Sequence, residues 1–444
     1  MTAQFFGGCE AFISEIKANR WWGIAGSRYR EVLFRELVPL KSTTYATHGL
    51  YMYPARFIPH VIRYAIERYT EPGDWVFDPF AGYGTVAIEA SLTGRNAVLW
   101  DLNPVTEVLT LASLYRWDIS LGDFDLDWGY GREFHPMWEN IFYWHPRDFY
   151  DALSRVWGYW HYEVYGRARG LEEVSKAYLI AIPLLKVTRF FSYSDEKIAK
   201  LYRSRYAEEK VKTLLHRDWR DKMVRMYWGY AGEVVEKVRE YRSLQPRDIE
   251  IVIRTSRRVN NRLEVFDAIR ARLDREVRLL ITSPPYLQAQ EYIRSFKLEL
   301  VWLGYTGSDL RILAGHEIPY NNPPQTNIHS RLFHEIRKEI MKLGNGKLLQ
   351  IYDAYFHSLA AFINNNHDKA EIMAIFVGPV KIRNMRIPID EILREHLEAL
   401  GFKHEETLID RIVSRRLFKV EVNPATGLAD ERTPTEHLLI MRRK

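Results

Sequence analysis

The sequence has a single cysteine, Cys9, among its 444 residues. One cysteine cannot form an intramolecular disulfide, and a cysteine-rich metal site is excluded for the same reason. No apolar run approaches the roughly 20 residues that a membrane-spanning helix needs, and the segment from Met1 to Arg20 lacks the form of a signal peptide. We therefore expect a cytoplasmic protein with no membrane partner.

The charge balance and the aromatic content narrow the class of partner. The formal net charge is +6 and the pI is about 9.0, which favours a polyanionic partner. Hydrophobic residues make up 47% of the chain, so a sizeable core can form. The 13 Trp and 27 Tyr residues can stack on nucleic-acid bases, although we expect most of them in the core. Few Cys and Gln beside many Arg, Glu and Tyr indicate a thermophilic source.

Alternating strand and helix patterns organise the chain from about residue 50 onward. Apolar strands are predicted at 75–77, 97–100, 262–266, 277–282, 370–377, 408–415 and 437–441, and helices at 57–69, 86–93 and 389–400. Residues of about 105–255 break this rhythm, because their pattern is helical throughout. We therefore predict an α/β fold: a doubly wound, Rossmann-like sheet with a largely helical insertion between its two halves. The predicted domains are an N-terminal extension at 1–45, a catalytic domain at 46–105 and 256–444, and an insertion at 106–255.

A glycine-containing loop, Asp78-Pro-Phe-Ala-Gly-Tyr-Gly-Thr85, separates a predicted strand from a helix. Gly82 and Gly84 allow a tight turn and a close approach of the backbone to a ligand, and the start of the helix offers free N–H groups. Asp101 ends the next strand, 23 residues after Asp78. A carboxylate there can accept both ribose hydroxyls of a nucleoside cofactor. The alternative is a structural turn followed by a solvated acid.

The spacing of this loop excludes two other nucleotide motifs. Thr85, Val86 and Ala87 follow Gly84, so the dinucleotide fingerprint Gly-x-Gly-x-x-Gly is absent. A phosphate-binding loop is excluded too, because it needs Gly-Lys-Ser/Thr. A nucleoside ligand without a pyrophosphate fits better, and S-adenosylmethionine is such a ligand. The two lone histidines nearby, His48 and His60, do not make a metal site, and none is predicted.

The segment Ser283-Pro284-Pro285-Tyr286 is the most specific feature of the chain. It follows the apolar strand at 277–282. Two adjacent prolines, each with φ near about −65°, cannot continue a strand, so they form a stiff turn just past a strand end. Ligands of α/β enzymes bind at such places. The carbonyl oxygen of Pro284 then points outward, and Ser283 adds a second oxygen beside it.

Two neighbouring oxygen acceptors suit the alkylation of an exocyclic amino group on a nucleic-acid base. The lone pair of such a nitrogen is delocalised into the ring, so the nitrogen is a poor nucleophile. Two acceptors that bind its two N–H groups favour a pyramidal nitrogen whose lone pair points at the donor methyl. Tyr286 can stack on a base that has been flipped out of the duplex.

The loop and the tetrapeptide together resemble those of the S-adenosylmethionine-dependent DNA amino-methyltransferases. The segment from His48 to Phe57 is similar to the one that wraps the methionine end of the cofactor in this family, and Asp267 matches the position that contacts the adenine amino group. The resemblance covers about 45–105 and 260–444. It implies S-adenosylmethionine as cofactor, double-stranded DNA as substrate, and the following cofactor-binding residues: Tyr53, Pro54, Ala55, Asp78, Pro79, Phe80, Ala81, Gly82, Gly84, Thr85, Asp101, Asn103, Asp267 and Ala268.

The first residue of the tetrapeptide bears on the target base. In this family Ser-Pro-Pro-Tyr is typical of cytosine-N4 enzymes, whereas adenine-N6 enzymes more often carry Asp or Asn at the first position. The resemblance therefore favours site-specific methylation of the N4 amino group of cytosine. Adenine-N6 methylation is the alternative, and an RNA enzyme that acts on a guanine or adenine amino group is a less favoured one. Methylation at carbon-5 needs a thiolate beside a Pro-Cys element, and Cys9 lies far from any such element.

Two further hypotheses concern partners and activity. A restriction-modification enzyme with a cognate restriction endonuclease and a solitary protective enzyme both fit the resemblance. A nucleic-acid-binding module that has lost its activity fits less well, because the catalytic positions Ser283, Pro284, Pro285 and Tyr286 are intact.

The insertion carries the residues that we predict to contact DNA. Residues 186–258 contain 19 Lys/Arg against 11 Asp/Glu, and the segment 197–206 alternates cations with aromatics. That mixture suits phosphate contact combined with base stacking. The alternative is an ordinary solvated amphipathic helix. The predicted DNA-binding residues are Arg189, Lys197, Lys200, Arg203 and Arg205. The cofactor loop precedes the catalytic segment, an order that resembles classes with target recognition between or after the two halves.

Overall fold

The computed structural model describes residues 28–287, 291–382, 385–411 and 435–444, without the side chains of Lys381 and Arg411. Cys9 and most of the predicted extension at 1–45 lie outside these ranges, as does the end of the strand predicted at 408–415. The described residues form twelve strands: β1 (Tyr29–Val32), β2 (Trp75–Asp78), β3 (Asn96–Asp101), β4 (Ile251–Thr255), β5 (Arg257–Val259), β6 (Arg262–Glu264), β7 (Val277–Thr282), β8 (Ala370–Val377), β9 (Val380–Ile382), β10 (Met385–Ile387), β11 (Phe402–Arg411) and β12 (Thr435–Arg443).

The same residues form fifteen α-helices. They are α1 (Phe34–Leu37), α2 (Pro59–Tyr69), α3 (Thr85–Thr93), α4 (Val105–Ser113), α5 (Ile141–Trp144), α6 (Arg147–Tyr159), α7 (Gly170–Phe190), α8 (Arg205–Leu215), α9 (Trp219–Ser243), α10 (Tyr292–Ser295), α11 (Lys297–Trp302), α12 (Gly307–Ala314), α13 (Arg331–Lys342), α14 (Gly346–Asn366) and α15 (Ile389–Ala399). Short 3₁₀ turns lie at Ala46–Gly49, Leu121–Phe124 and His367–Lys369, and a π-helical turn at Trp160–Tyr165 continues α6. None of the described helices is both long and apolar enough to cross a membrane.

Eight strands form one mixed sheet in the order β1-β11-β12-β8-β7-β2-β3-β4. The five strands from β8 to β4 are mutually parallel, while β12 runs antiparallel to both β8 and β11. From β2 the chain moves outward through β3 to β4, and later returns to the other side of β2 through β7 and β8. The strand order therefore reverses between β2 and β7. In open α/β sheets, ligands bind outside the carboxyl ends of the strands at such a reversal.

The central strands are hydrophobic because helices cover both faces of the sheet. In β8 (Ala-Glu-Ile-Met-Ala-Ile-Phe-Val) every residue is buried except Glu371, as expected for a strand packed on two sides. One set of side chains of this sheet packs with α2 and α3, and the opposite set packs with α14 and α15. This arrangement confirms the predicted doubly wound, Rossmann-like α/β sheet.

The strand that lies beside β3, at the edge of the parallel part of the sheet, is not the predicted one. Residues 262–266 are predicted as a sheet strand, but Arg262–Glu264 pairs only with β5 in a small hairpin. Ile251–Thr255 lies beside β3 instead, although it occupies the last five residues of the predicted insertion. The reason is packing: Val252 and Ile253 lie against the two apolar layers of the sheet, whereas Arg262 and Glu264 are exposed.

Between β3 and β4 the described chain is helical, as the pattern predicts, and its helices share a core with the rest of the molecule. Trp157 of α6 stacks on Trp302 of α11 with ring centroids 5.9 Å apart. The indole N–H of Trp302 donates to Nε2 of His145, 3.1 Å away. The same apolar cluster includes Tyr83 of the glycine loop. The segment between β3 and β4 is therefore packed directly against both motif-bearing parts of the sheet.

Candidate active site

A cavity opens at the carboxyl edge of the sheet, where β2 and β7 lie side by side. It brings together residues from the segment before α2, the loop after β2, the end of β3, the segment after β6 and the tetrapeptide after β7. The predicted site residues that line it are Tyr53, Ala55, Phe80, Ala81, Gly82, Asp101, Asn103, Asp267, Ala268, Ser283 and Pro285. Those that do not line it are Pro54, Asp78, Pro79, Gly84, Thr85, Pro284 and Tyr286.

Asp78 lies behind the cavity and joins the two motifs. Its Oδ1 accepts a hydrogen bond from the Thr282 hydroxyl, 2.7 Å away, and another from the Phe80 N–H, 3.1 Å away. Thr282 immediately precedes Ser283, so this bond fixes the tetrapeptide relative to the glycine loop. Burial raises the pKa of Asp78 to about 7. Asp78 is predicted to bind the cofactor, and in the structure it lies outside the cavity lining and connects the two loops.

Asp101 faces the cavity from the end of β3. Its Oδ2 accepts from the Gly82 N–H, 2.7 Å away, and its Oδ1 accepts from the Asn103 N–H at the same distance. Burial raises the pKa of Asp101 to about 6. Each carboxylate oxygen has a second lone pair, so Asp101 can still accept hydroxyl donors from a ligand in the cavity.

The two glycines of the loop serve different contacts. Gly82 has φ +54°, and a Cβ built there would lie 3.2 Å from the Tyr53 ring, so the glycine lets Tyr53 close over the loop. Gly84 has φ +85°, and a Cβ there would come within 2.1 Å of Oγ1 of Thr110. Of the two glycines predicted to approach a ligand, Gly82 lines the cavity, whereas Gly84 allows close packing between the loop and α4.

The residues of the tetrapeptide lie in different surroundings. Ser283 lines the cavity wall, while Pro284 is buried in a second, apolar pocket together with Phe80, Leu359 and Phe362. The hydroxyl of Tyr286 donates to Oε1 of Glu436, 3.0 Å away, so the phenol ring is tethered to β12. Tyr286 is half-buried just outside the cavity.

The segment before α2 is held over the glycine loop by a residue that no sequence motif indicates. Glu89 of α3 is fully buried and accepts from the Tyr45 hydroxyl, from Nε2 of His48 at 2.7 Å and from Nε of Arg63 at 2.6 Å. Burial opposes ionisation of Glu89, but these donors together lower its pKa. His48 therefore has a packing role rather than a metal-binding one, and a buried carboxylate anchors the chain that leads to Tyr53.

Two aromatic residues after the tetrapeptide complete the wall around Tyr53. Tyr292 stacks on Tyr53 with centroids 6.1 Å apart, and Phe296 lies 5.0 Å from the same ring. Ala55 lines this part of the cavity with φ +48°, a conformation that is strained for a residue with a Cβ. The only signal for these aromatics in the sequence is that they lie within 260–444, the second stretch that the family resemblance covers.

Three further cavity residues, His316, Glu317 and Ile318, follow α12. Glu317 is buried, and its Oε1 accepts from the Ile293 N–H, 2.8 Å away. Burial raises the pKa of Glu317 to about 7. No motif in the sequence indicates these residues, because only the fold brings them to the sheet edge.

The predicted DNA-binding residues separate into exposed and buried members. Lys197, Lys200 and Arg205 lie at least partly in solvent. Arg203 is half-buried, pairs with Glu208 at 2.8 Å and lies over the rings of Tyr143 and Tyr193. These four cations are therefore accessible, at least in part, to a phosphate.

Arg189 does not share that accessibility. Its side chain is 10% exposed and its Nη1 lies 2.7 Å from Oε1 of Glu299. Its Nη2 donates to the carbonyl of Ala199, 2.8 Å away. The predicted phosphate contact of Arg189 is thus corrected: a buried guanidinium that is already paired fixes the Lys197–Arg205 segment against α11.

Within the described ranges, no group of three or more His, Cys, Asp or Glu side chains is arranged to hold a metal ion. The cavity instead combines carboxylates, an asparagine and aromatic rings. Nδ2 of Asn103, which is 2% exposed, has no hydrogen-bond partner in the described structure. An unpaired buried donor beside Asp101 suits a ligand that carries both hydroxyls and hydrogen-bond acceptors.

We expect Asp78→Asn to change how stability depends on pH. The carboxyl has a pKa of about 7 in the folded protein and about 3.9 when unfolded. The folded state therefore binds the proton more tightly, so this group's contribution to stability is fully present below about pH 4 and is lost as the pH rises to about 7. The free energy of unfolding of the wild type minus that of the variant should decrease over this interval in urea titrations.

The exposed Asp151→Asn on α6 is the matched control for loss of a carboxylate. If the difference for Asp78→Asn decreases no more than the difference for this control, the buried carboxyl of Asp78 does not titrate as described.

Comparison with known proteins finds similarity over part of the chain. The family model described as DNA methylase matches residues 17–110. The chain is 29% identical over 103 residues to a Type II methyltransferase, M.MjaII, of Methanocaldococcus jannaschii, covering 23% of this chain and 19% of the relative. It is 47% identical over 57 residues to a Type II methyltransferase, M.XycI, of Xanthomonas campestris pv. cyanopsidis, covering 13% and 18%. The chain thus spans less than a fifth of the length of each relative.

A solved structure, the rRNA methyltransferase aviRa from Streptomyces viridochromogenes, aligns over 88% of both chains with 9% identity and a TM-score of 0.29. The stretch that the family model matches includes the glycine loop and Asp101, which meet at the cavity. The family model and the two relatives confirm the resemblance to the amino-methyltransferases of DNA. Residues 17–110 are therefore similar to the DNA methylase family.

Proposed function

We propose that the protein transfers a methyl group from S-adenosylmethionine to the N4 amino group of a cytosine in double-stranded DNA. One observation carries the proposal: the glycine loop and Ser283, about 200 residues apart in sequence, line the same cavity. An enzyme of this type must bind its donor and its acceptor nitrogen within bonding distance of each other. A cavity shared by the two motifs supports such an arrangement.

The cavity residues fit a nucleoside cofactor with an amino-acid tail. Asp101 can accept the ribose hydroxyls, while Phe80 and Asp267 line the part of the cavity suited to the adenine ring and its amino group. The aromatic wall of Tyr53, Tyr292 and Phe296 suits the methionine end. When bound, S-adenosylmethionine supplies an electrophilic methyl group on a positively charged sulfur.

The tetrapeptide supplies orientation rather than a covalent attachment. Ser283 offers a neutral hydroxyl oxygen to the cavity. The backbone carbonyl of Pro284, whose ring is buried in the neighbouring apolar pocket, is proposed as a second neutral acceptor. Together they can bind the two N–H groups of the target amine, so that its lone pair faces the cavity. The bond from Thr282 to Asp78 holds this pair of acceptors at a fixed distance from the cofactor loop.

Tyr286 is proposed to stack on the flipped base. Its ring stands just outside the cavity, and its hydroxyl is held by Glu436, so the ring is pre-oriented before DNA binds. A pre-oriented aromatic face replaces part of the stacking that the base loses on leaving the duplex. Cytosine-N4 is preferred over adenine-N6 because the serine of the tetrapeptide is the residue typical of N4 enzymes.

The Lys197–Arg205 segment is proposed as part of the DNA-contacting surface. Lys197, Lys200 and Arg205 reach solvent there. The exposed ring of Tyr202 lies between Lys200 and Arg205 in sequence, and the exposed ring of Tyr143 lies against Arg203. Cations with interleaved aromatics suit phosphate contact and base stacking. A cognate restriction endonuclease is a further proposal, and it rests on the resemblance alone.

Arg189 holds this segment against the catalytic part of the molecule. Its guanidinium donates to the carbonyl of Ile198 within the segment, and to the Ser295 carbonyl and the Glu299 carboxylate on α10 and α11. Both helices follow the tetrapeptide in sequence. A duplex bound by the segment would therefore lie beside the helices that lead from Ser283.

A methyl-transfer assay tests the function directly. Duplex DNA incubated with labelled S-adenosylmethionine and the protein should acquire label, and digestion to nucleosides should place it in N4-methylcytosine. Ser283→Ala should lower kcat by about 10²-fold, the size typical for removal of one transition-state hydrogen bond. Ser308→Ala, a serine at the surface of α12, should leave the rate unchanged.

The products distinguish the alternatives. Label in N6-methyladenine would overturn the choice of base, and label in transfer RNA but not in DNA would overturn the choice of polymer. Wild-type activity in Ser283→Ala would contradict the role of the tetrapeptide.

A salt titration tests the DNA-contacting segment. The combined variant Lys197→Ala, Lys200→Ala and Arg205→Ala should weaken duplex binding for every sequence alike. It should also reduce the slope of log K against log salt by about 0.9 for each phosphate that the variant no longer neutralises. Fluorescence anisotropy with labelled duplex measures both quantities.

The control replaces three lysines of α13 and α14, Lys338, Lys342 and Lys347, which lie outside the proposed surface. Equal slopes for the two combined variants would mean that the effect is one of net charge and that the segment does not contact DNA.

A further inference from the structure

We propose that Glu317 makes the cavity selective for the positively charged methyl donor over the neutral product of the reaction. The inference rests on the proposed function, because it assumes that the cavity binds S-adenosylmethionine. Methyl transfer converts a sulfonium cation into the uncharged thioether of S-adenosylhomocysteine. A carboxylate near the sulfur position therefore attracts the donor and has no such attraction for the product.

The position of Glu317 is fixed by the fold. Glu317 follows α12, is 8% exposed and lines the cavity. Its Oε1 accepts from the Ile293 N–H, 2.8 Å away, and the Tyr292 N–H also bonds the carboxylate. Both donors belong to the start of α10, shortly after the catalytic tetrapeptide. The carboxylate is thus held in place by backbone groups rather than by a mobile side chain.

Its neighbours place Glu317 between the two ends of the proposed cofactor site. Glu317 lines the same cavity as Asp101 and Tyr53. Its carboxylate accepts from the backbone N–H of Tyr292, the residue whose ring stacks on Tyr53 with centroids 6.1 Å apart. Asp101 is the proposed ribose acceptor, and Tyr53 belongs to the wall for the methionine end. The sulfonium is the atom that joins the ribose carbon to the methionine chain, so it lies between these two residues and hence beside Glu317.

The carboxylate has no counter-ion of its own within the described ranges. No Lys, Arg or His side chain there forms an ion pair with Glu317, whereas the neighbouring Glu291 pairs with Arg294 at 2.7 Å. Burial, with Asp101 and Glu291 nearby, raises the pKa of Glu317 to about 7. A buried carboxyl without a cation is costly to ionise, and a cationic ligand offsets that cost.

An independent observation shows that this part of the cavity is built for a polar ligand. Asn103, which lines the cavity near Asp101, has a buried amide nitrogen that finds no partner in the described structure. Buried donors of this kind are rarely left unpaired. A ligand that presents a hydrogen-bond acceptor to Asn103 and positive charge to Glu317 satisfies both groups, and a nucleoside sulfonium does so.

Charge selection of this kind affects turnover. Donor and product share the adenosine and homocysteine parts, so contacts to those parts bind both ligands alike. An interaction present only with the sulfonium weakens binding of the product relative to the donor. The expected consequence is fast release of S-adenosylhomocysteine and weak product inhibition.

Calorimetry on the full-length protein at pH 8 tests the inference, with S-adenosylmethionine and S-adenosylhomocysteine as the two titrants. The Glu317→Gln variant keeps an oxygen for the Ile293 N–H but lacks the charge. It should bind the sulfonium at least about tenfold more weakly and the thioether almost unchanged. The control is Glu107→Gln on α4, a partly buried acid whose pKa is also raised by burial and which does not line the cavity. That control should change neither affinity.

Each outcome has a distinct meaning. If Glu317→Gln weakens the binding of both ligands equally, Glu317 shapes the cavity but does not distinguish the charged donor from the neutral product, and the inference fails. If the wild type binds neither ligand, the proposed function fails instead. Should the variant not fold, the wild type alone decides: an analogue with a protonated amine in place of the sulfonium must bind more tightly than the thioether. Equal affinities would overturn the inference.

Discussion

The hydrogen bond from the Thr282 hydroxyl to the Asp78 carboxyl is the contact on which the site depends. It joins residues 204 positions apart in the chain, at the carboxyl ends of the two parallel strands β2 and β7. One partner begins the glycine loop, and the other immediately precedes Ser283. Because both groups are buried, the bond is formed away from competing water. The distance between the glycine loop and Ser283 is thereby set before any ligand binds.

The rest of the molecule supports this junction from three sides. The pairing of Val76–Phe77 with Leu279–Leu280 aligns the strand ends. Glu89 anchors the chain that leads to Tyr53, and Tyr53 in turn packs on Tyr292 beyond the tetrapeptide. The buried pair of Arg189 and Glu299 fixes the proposed DNA-contacting segment to the helices behind the same aromatic wall. The proposed sites for donor, acceptor and duplex thus lie on elements that share one framework.

Prediction from the sequence succeeds where the signal is local. The loop at 78–85, Asp101 and Ser283 follow apolar strands directly, so their position at a strand end can be inferred from the pattern. The pattern assigns the strand beside β3 to the wrong segment, because the apolar run of β4, 251–253, is three residues long and adjoins a helical stretch. Arg189 shows a second limit of the pattern. It lies in a basic stretch, which indicates an exposed side chain, but it is buried against Glu299. The pattern does not indicate this partner, because it lies 110 residues away in the sequence.

Glu89 and Glu317 could not be assigned from sequence at all, since their roles arise from contacts made by the fold.

The central claim is that the two motifs form one ligand cavity. A crystal structure with bound S-adenosylhomocysteine tests it most directly. We expect the ribose hydroxyls at Asp101 and the sulfur beside Glu317, with the open side of the sulfur facing Ser283. Ligand bound elsewhere, or a sulfur turned away from Ser283, would contradict the account.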